Sequence, residues 1–305
     1  MVDLKLDIPD SFWEEETRWD WRVTPETKRI WAVQLDLTNE LLRVCKENGL
    51  KIFADSGTLL GAIRHQGYIP WDDDVDFIMN RDDYNKLCQI GPQEFQHPYF
   101  FQTEVTDPGS IYLHAKLRNS ETTGILKSQY NGRCHFNQGI FIDIFPVDNM
   151  PDDAEMRESL IKETERLRTR ALDYSCFVYR HGKSNTVKQF VGNTVRFFMS
   201  KVIPGNYFYG QLQKEAGKYH DLNTKQFAIV SYTSELDNLT YDRAWYSETE
   251  EAPFEFITVP VPKYAERVLE NMYGDWKTPV MGGSWHGEVL FDVDKPYTDY
   301  LEKWG

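Results

Sequence analysis

Twice in this chain aspartate is set inside apolar sequence, and that placement restricts the fold more than any other feature. Residues 69–77 read Ile-Pro-Trp-Asp-Asp-Asp-Val-Asp-Phe, and residues 140–145 read Ile-Phe-Ile-Asp-Ile-Phe. In an extended strand side chains alternate between faces, so Asp72, Asp74 and Asp76 would share one face while Val75, Phe77 and Met79 fill the other. Three carboxylates on one face repel unless a cation lies among them, and Asp oxygens suit a hard divalent ion, Mg²⁺ or Mn²⁺. A calcium loop accommodates Asp72, Asp74 and Asp76 as its first ligands. It fails at the turn glycine, where Phe77 stands, and at the twelfth position, which is Asp83 and not Glu.

Asp143 lies mid-strand by its neighbours, and a carboxylate buried there is costly unless it is paired or ligates a cation. Pairing with a buried Arg is the alternative. The metal reading is preferred because Asp74 and Asp76 already require the same ion. Upstream, Asp55-Ser56-Gly57-Thr58 follows a short strand expected over Leu50 to Ala54, which puts Ser56, Gly57 and Thr58 at a strand-to-helix turn. Free backbone N–H groups there can dock a phosphate, although simple helix capping gives the same dipeptide.

The order strand, Ser-Gly turn, helix, acidic strand and later acidic strand resembles the nucleotidyltransferase fold. At finer grain, Ser56-Gly57-Thr58-Leu59-Leu60-Gly61, Arg64-His65, Gly67 and Ile69 to Asp76 resemble the signature of the LicD family. The likeness continues through Lys116-Leu117-Arg118-Asn119, Thr122-Thr123 and Phe141 to Pro146. It returns at Phe254-Glu255, Val259 to Pro262 and Tyr273-Gly274-Asp275, with residues 150–225 the least similar. Phe256 and Trp276 depart from the pattern, which expects Gly and Tyr there.

That resemblance implies a phosphotransferase that moves a phospho-alcohol, above all phosphocholine, from CDP-choline or another CDP-alcohol to a sugar hydroxyl and releases CMP. The acceptor would be a cell-surface glycan or its precursor, such as teichoic acid or lipopolysaccharide, lipid-linked or free. Asp72, Asp74, Asp76 and Asp143 would hold one or two metal ions against the diphosphate, with Asp143 or a metal-bound hydroxide taking the acceptor proton. Arg64, His65, Lys116 and Arg118 are the candidate phosphate ligands; Lys116 and Arg118 alternate with Leu117 and so reach one face. Two rivals stand beside this reading: a nucleotidyltransferase releasing pyrophosphate, and a non-catalytic metal-binding partner protein. A metal-dependent glycosyltransferase ranks third.

The expected fold class is α+β, a mixed sheet flanked by helices with an added helical region in the second half. It forms one unit over 1–305: a core to 150, a helical insertion over 151–225, and C-terminal strands and a helix over 226–305 that complete the site. A net charge of −14 argues against nucleic acid and anionic lipid as general partners. Cys45, Cys88, Cys134 and Cys176 stand singly, which suits buried thiols in the cytoplasm. The opening Met1-Val2-Asp3-Leu4 has neither the basic head nor the apolar core of a secretory signal, and no run is long and apolar enough to span a bilayer. Peripheral contact with the inner face of the membrane is left open.

Helices are expected over 26–48, where Ile30, Val33, Leu37, Leu41 and Val44 share a face before Asn48-Gly49, and over Arg81 to Ile90. Further helices are expected from Asp152 to about Tyr179, over Thr186 to Val202 and from Pro262 to Met272. The segment Thr186 to Val202 suits a helix packed on the core better than one lying on a membrane. Strands are expected at 98–105, 111–118, 139–145, 227–233 and 254–259. Trp245, Tyr246, Tyr232 and Trp285 are aromatic residues of the last third, none of them assignable to a choline cage.

Overall fold

The computed structural model describes residues 2–110, 112–129, 135–180, 187–232, 239–281 and 287–301, with the side chains of 180, 187–190 and 301 outside that description. A hairpin of β1 (Glu16–Arg18) and β2 (Trp21–Val23) leads into the helix α1 (Pro25–Glu47). Thr24 caps α1 through its hydroxyl, Pro25 starts it, and Gly49 at φ 64° ends it, so both boundaries follow from local chemistry. Next come β3 (Phe53–Ala54), α2 (Ser56–Leu60) continued by a π-helical turn Gly61–His65, β4 (Asp76–Asn80) and α3 (Arg81–Glu94). The strands β5 (Tyr99–Gln102), β6 (Ala115–Asn119), β7 (Thr123–Leu126) and β8 (Ile140–Met150) follow.

β8 organises the main sheet. It runs parallel to β4, with Asp76 opposite Asp143, and antiparallel to β6, with Lys116 opposite Asp143. Its last residues pair with β9 (Gln226–Ala228), which in turn pairs with β10 (Thr240–Asp242). β3 closes the other side against β4, and β5 lies on β6. The chain's architecture is α+β, a mixed sheet with helices around it. α1 lies across this sheet and buries Trp31, Val33, Leu37, Leu41 and Val44 completely. Removing each such side chain from water contributes about 1.5–3 kcal/mol.

Between β8 and β9 run α4 (Ala154–Arg180), α5 (Val187–Met199) and α6 (Tyr207–Ala216). α4 and α6 pack through Leu113, Leu167, Ala171, Tyr209 and Leu212. The hairpin β11 (Thr249–Phe254) and β12 (Ile257–Pro262) precedes α7 (Ala265–Tyr273), which stops at Gly274 with φ 65°. β13 (Val289–Asp292) pairs with β7, and α8 (Thr298–Leu301) follows.

Several expectations need correction. The acidic strand begins only at Asp76; Asp72 and Asp74 precede it, in a segment whose Asp72 and Asp73 carbonyls accept from side chains of α1. The strand expected over Leu50 to Ala54 shrinks to Phe53–Ala54. The segment expected over 98–105 ends at Gln102, because the Thr103 and Thr106 hydroxyls capture backbone N–H groups and turn the chain. β1, β2, β7, β10 and β13 match none of the expected strands. Helix α5 is not packed apolar face inward: Val191, Val195, Phe197 and Phe198 are all exposed. Cys45, Cys88 and Cys176 form no disulfide, while Cys134 and Trp285 lie outside the described residues.

A buried ion pair ties the core to the helical region. Arg81, at the start of α3, donates to both oxygens of Asp148 (2.7 and 2.6 Å) and to Gln213 of α6 (2.7 Å). Removing one partner strands the other charge in the interior. Asp148→Ala is expected to cost about 3–5 kcal/mol in urea denaturation, and the double variant Arg81→Met/Asp148→Leu much less.

Candidate active site

The acidic segment is suspended from α1. Trp31 Nε1 donates to the carbonyl of Asp72 (3.0 Å) and Gln34 Nε2 to that of Asp73 (2.7 Å). Tyr68 stacks flat on Trp31 at 4.5 Å, and its backbone N–H donates to Glu255 (2.9 Å). Glu255 also receives both guanidinium nitrogens of Arg18 (2.6 and 2.8 Å), so the turn before the acids is clamped between the N-terminal hairpin and β11. Gly67 is needed there, since a Cβ would stand 2.2 Å from Glu255 Oε1.

The carboxyls converge on the start of α2. A Cβ on Gly57 would fall 2.5 Å from Asp72 Oδ2 and 3.8 Å from Asp74 Oδ1, which leaves glycine as the residue that fits. Ser56 beside it takes a left-handed φ of 49°, a strained conformation for a residue with a side chain. Burial, then Asp74 and Asp73, push the Asp72 carboxyl well above the usual range. Burial, then Asp74, Asp143, Asp55 and Asp72, do the same to Asp76. The Thr58 hydroxyl accepts from the Asp76 backbone N–H (2.8 Å), so Thr58 fixes the strand's first residue from beneath.

Asp143 is in a different state. Its Oδ1 accepts from Lys116 Nζ and from His114 Nε2 (2.8 Å). Although burial opposes the charge, Lys116 and His114 hold its carboxyl far below the usual range, so it stays ionised. An ionised carboxylate only accepts, so His114 carries its proton on Nε2 and its Nδ1 accepts from the Tyr232 hydroxyl (2.6 Å). Burial brings the Lys116 ammonium down to about 8, with Asp143 opposing that shift. A buried cation paired with Asp143 was the weighed alternative to metal ligation. The structure supplies one, though it is Lys and not Arg.

The remaining expected residues divide. Lys116 and Arg118 do share a face, both over the Phe141 ring at 3.8 and 4.8 Å. Arg118 is fully buried and donates to Gln102 (2.5 Å) and the Gly139 carbonyl (2.6 Å), which commits it to holding the sheet. Arg64 donates to His65 (2.9 Å) and the Trp276 carbonyl (2.6 Å), which gives the unexpected Trp276 a place at the rim. Burial, then Arg64, push the His65 imidazole down to about 4, so it is neutral at pH 7. Trp19 and Trp71 lie edge-on to His65, at 5.1 and 6.5 Å between ring centres, and Trp21 packs on Trp71 at 6.0 Å. Trp71 is the residue before Asp72, so this aromatic group adjoins the acidic segment. Tyr246 instead packs on Phe53 and Phe227, Trp245 packs on the core, and Phe256 packs on Phe12.

Three participants escaped the sequence reading. Asp55 is buried, accepts from Ser56 and Tyr241 hydroxyls (3.1 and 3.0 Å), and is raised to about 6 by burial. His114 and Tyr232 complete the chain to Asp143. Whether this set suits a divalent ion can be tested on its own polar atoms. Asp55 Oδ1 and the Tyr68 hydroxyl are buried without a hydrogen-bond partner, and Asp72 and Asp76 are raised by their neighbours' charge. All-oxygen, net-negative donors of this kind fit Mg²⁺ or Mn²⁺. As the side chains stand, no three His, Cys, Asp or Glu among the described residues are close enough to clasp an ion.

Residues 49–172, which contain the acids, α2 and β8, match the profile of the LicD/FKTN/FKRP nucleotidyltransferase domain. They form a LicD-family domain. The chain is 28% identical over 174 residues to the lipopolysaccharide cholinephosphotransferase LicD of Haemophilus influenzae, 55% of this chain and 61% of that protein. It is 50% identical over 62 residues to an uncharacterized protein of Rickettsia prowazekii, 20% of this chain and 22% of that protein. A stretch of the same length in an uncharacterized protein of Rickettsia typhi is 48% identical. The chain thus spans 61% of the Haemophilus relative and about a fifth of the rickettsial ones.

The charge pattern of the LicD domain has a pH signature. Raised carboxyls keep, in the folded state, protons that the unfolded chain releases above about pH 4, so their contribution to stability falls as pH rises. That loss runs from about pH 4 through 6, where Asp55 ionises, and beyond for Asp72 and Asp76. Asp143 works oppositely and loses its contribution below about pH 4. In chelating buffer, Asp76→Asn is therefore expected to raise Tm at pH 7 by about 2–4 °C and to flatten the fall of Tm between about pH 5 and 7.5. A Tm lowered by that substitution would contradict the charge assignment.

Proposed function

We propose that this site transfers a phospho-alcohol, with phosphocholine the first candidate, from a CDP-alcohol to a sugar hydroxyl of a cell-surface glycan or its precursor. The observation that carries this reading is the cluster of Asp55, Asp72, Asp74 and Asp76 beside an Asp143 kept ionised by Lys116, within a LicD domain. The name of the Haemophilus relative, a cholinephosphotransferase acting on lipopolysaccharide, supports the choice of donor and acceptor. The reaction would take place on the cytoplasmic side of the membrane.

Asp72, Asp74 and Asp76, with Asp143 beside them, would hold Mg²⁺ or Mn²⁺, whose charge would offset that of the diphosphate. The chain's own residues do the rest. Ser56 and Gly57 face the acids and so border the phosphate position. Lys116, its ammonium still charged at pH 7, and Arg64 at the rim supply cations to the diphosphate. The sugar oxygen forms its bond to the alcohol-bearing phosphorus as the bond from that phosphorus to CMP breaks. The Asp143 carboxylate, which His114 and Lys116 orient, accepts a hydrogen bond from the attacking hydroxyl, whose proton passes on to water. Trp19, Trp21 and Trp71, next to a neutral His65, offer aromatic faces for a quaternary ammonium.

Incubation with CDP-choline, CDP-ethanolamine, CDP-glycerol or CDP-ribitol and a glycan acceptor is expected to yield CMP by mass spectrometry. Asp74→Asn should lower that yield by about 100-fold or more. Pyrophosphate release from a nucleoside triphosphate, or full activity in that variant, would favour the rival readings. Trp71→Ala is expected to raise KM about 3- to 30-fold for CDP-choline while leaving CDP-glycerol nearly unaffected. Mg²⁺ should raise Tm at pH 7 in the native chain and do so far less in Asp74→Asn.

A further inference from the structure

Helix α5 is built inside out. Val191, Val195 and Phe198 recur at helical spacing and are 56%, 55% and 67% exposed, and Val202, in the turn just past the helix, is 80% exposed. On the less exposed side of the described part of the helix, Arg196 approaches Asp173 of α4 at 3.7 Å and Met199 is half-buried. A surface helix ordinarily buries its apolar stripe. Here the stripe faces outward, with Phe197 on its flank and Lys201 Nζ at 4.7 Å from that ring.

The charge of the surrounding sequence says what covers it. From Tyr174 to Lys214 the chain contains Arg180, Lys183, Lys188, Arg196, Lys201 and Lys214 and no Asp or Glu, although the whole chain stands at −14. We infer that α5 lies in the headgroup region of an anionic bilayer, its Val and Phe stripe at the acyl boundary and the exposed Lys201 beside Phe197 among the phosphates. Thirteen residues are too few to cross a bilayer, and no helix among the described residues is long and apolar enough to do so. A second copy is the weaker occupant, because a self-complementary contact would press two acid-free basic segments together. The strongly acidic remainder is repelled by the same surface, which fixes the orientation of the bound protein. α4 and α6 also pack on Leu113, the residue before His114, so the orientation is tied to the site. This assignment stands apart from the proposed transfer reaction.

The test is co-sedimentation of the full chain with vesicles of phosphatidylglycerol and phosphatidylcholine in equal parts, at low and high salt. The native chain is expected to bind these, about tenfold or more weaker at high salt or on pure phosphatidylcholine. Val195→Asp/Phe198→Asp, on an exposed face, should keep the native melting curve and lose about tenfold or more in binding. Failure of the native chain to bind anionic vesicles, or equal binding by the variant, overturns the inference. So does a dimer in lipid-free buffer that the variant converts to monomer, which would assign the face to a second copy.

Discussion

Carboxylates crowded at one mouth of a sheet are the constraint around which the rest is arranged. Asp55, Asp72, Asp74, Asp76 and Asp143 interact with one another across two strands and the start of a short helix. Such a cluster opposes folding, because each charge is partly removed from water and faces others of its sign. The protein holds it by anchoring backbone and not charge: α1 grips the carbonyls of Asp72 and Asp73, and Thr58 grips the N–H of Asp76. Stability is thus surrendered locally and recovered in the core over which α1 lies, a pattern expected where chemistry requires a geometry that packing alone would not choose.

Cations at the site have distinct duties despite their similar sequence setting. Lys116 is a buried ammonium, brought down to about 8 by burial yet still charged at pH 7, in contact with the Asp143 carboxylate. Arg118, two residues on, satisfies a carbonyl and an amide in the sheet and offers nothing outward. A guanidinium with rigidly placed donors suits that bracing task, whereas a flexible ammonium can follow a ligand. Arg64, half-buried at the rim, is the more accessible guanidinium.

Much of this was legible from residue order. Caps and periodicity delimit α1 and α3, and the apolar runs around Asp76 and Asp143 foretell two neighbouring strands, which turn out to be in register. What stayed hidden depends on contacts between distant residues. Alternation alone cannot say that the carbonyls of Asp72 and Asp73 hang from Trp31 and Gln34, with the strand beginning only at Asp76. Asp55 reads as an ordinary capping residue until Tyr241 is brought against it. His114 has no motif, since its partners Asp143 and Tyr232 come from other parts of the chain. The outward stripe of α5 has the same periodicity as an inward one, so the sequence pattern is silent on its direction.

The bracket made by Arg18 and Glu255 reaches beyond local rigidity. These residues are separated by 237 positions and both lie outside the stretch 49–172, yet they fasten the turn that delivers the acids. Trp31 and Tyr241 likewise come from beyond its two limits. Excising that stretch for expression or grafting it into another scaffold would carry away the carboxylates and leave behind the scaffolding that aims them. The family segment is an insert with borrowed walls, and engineering that treats it as a portable module should be expected to yield an ill-formed pocket.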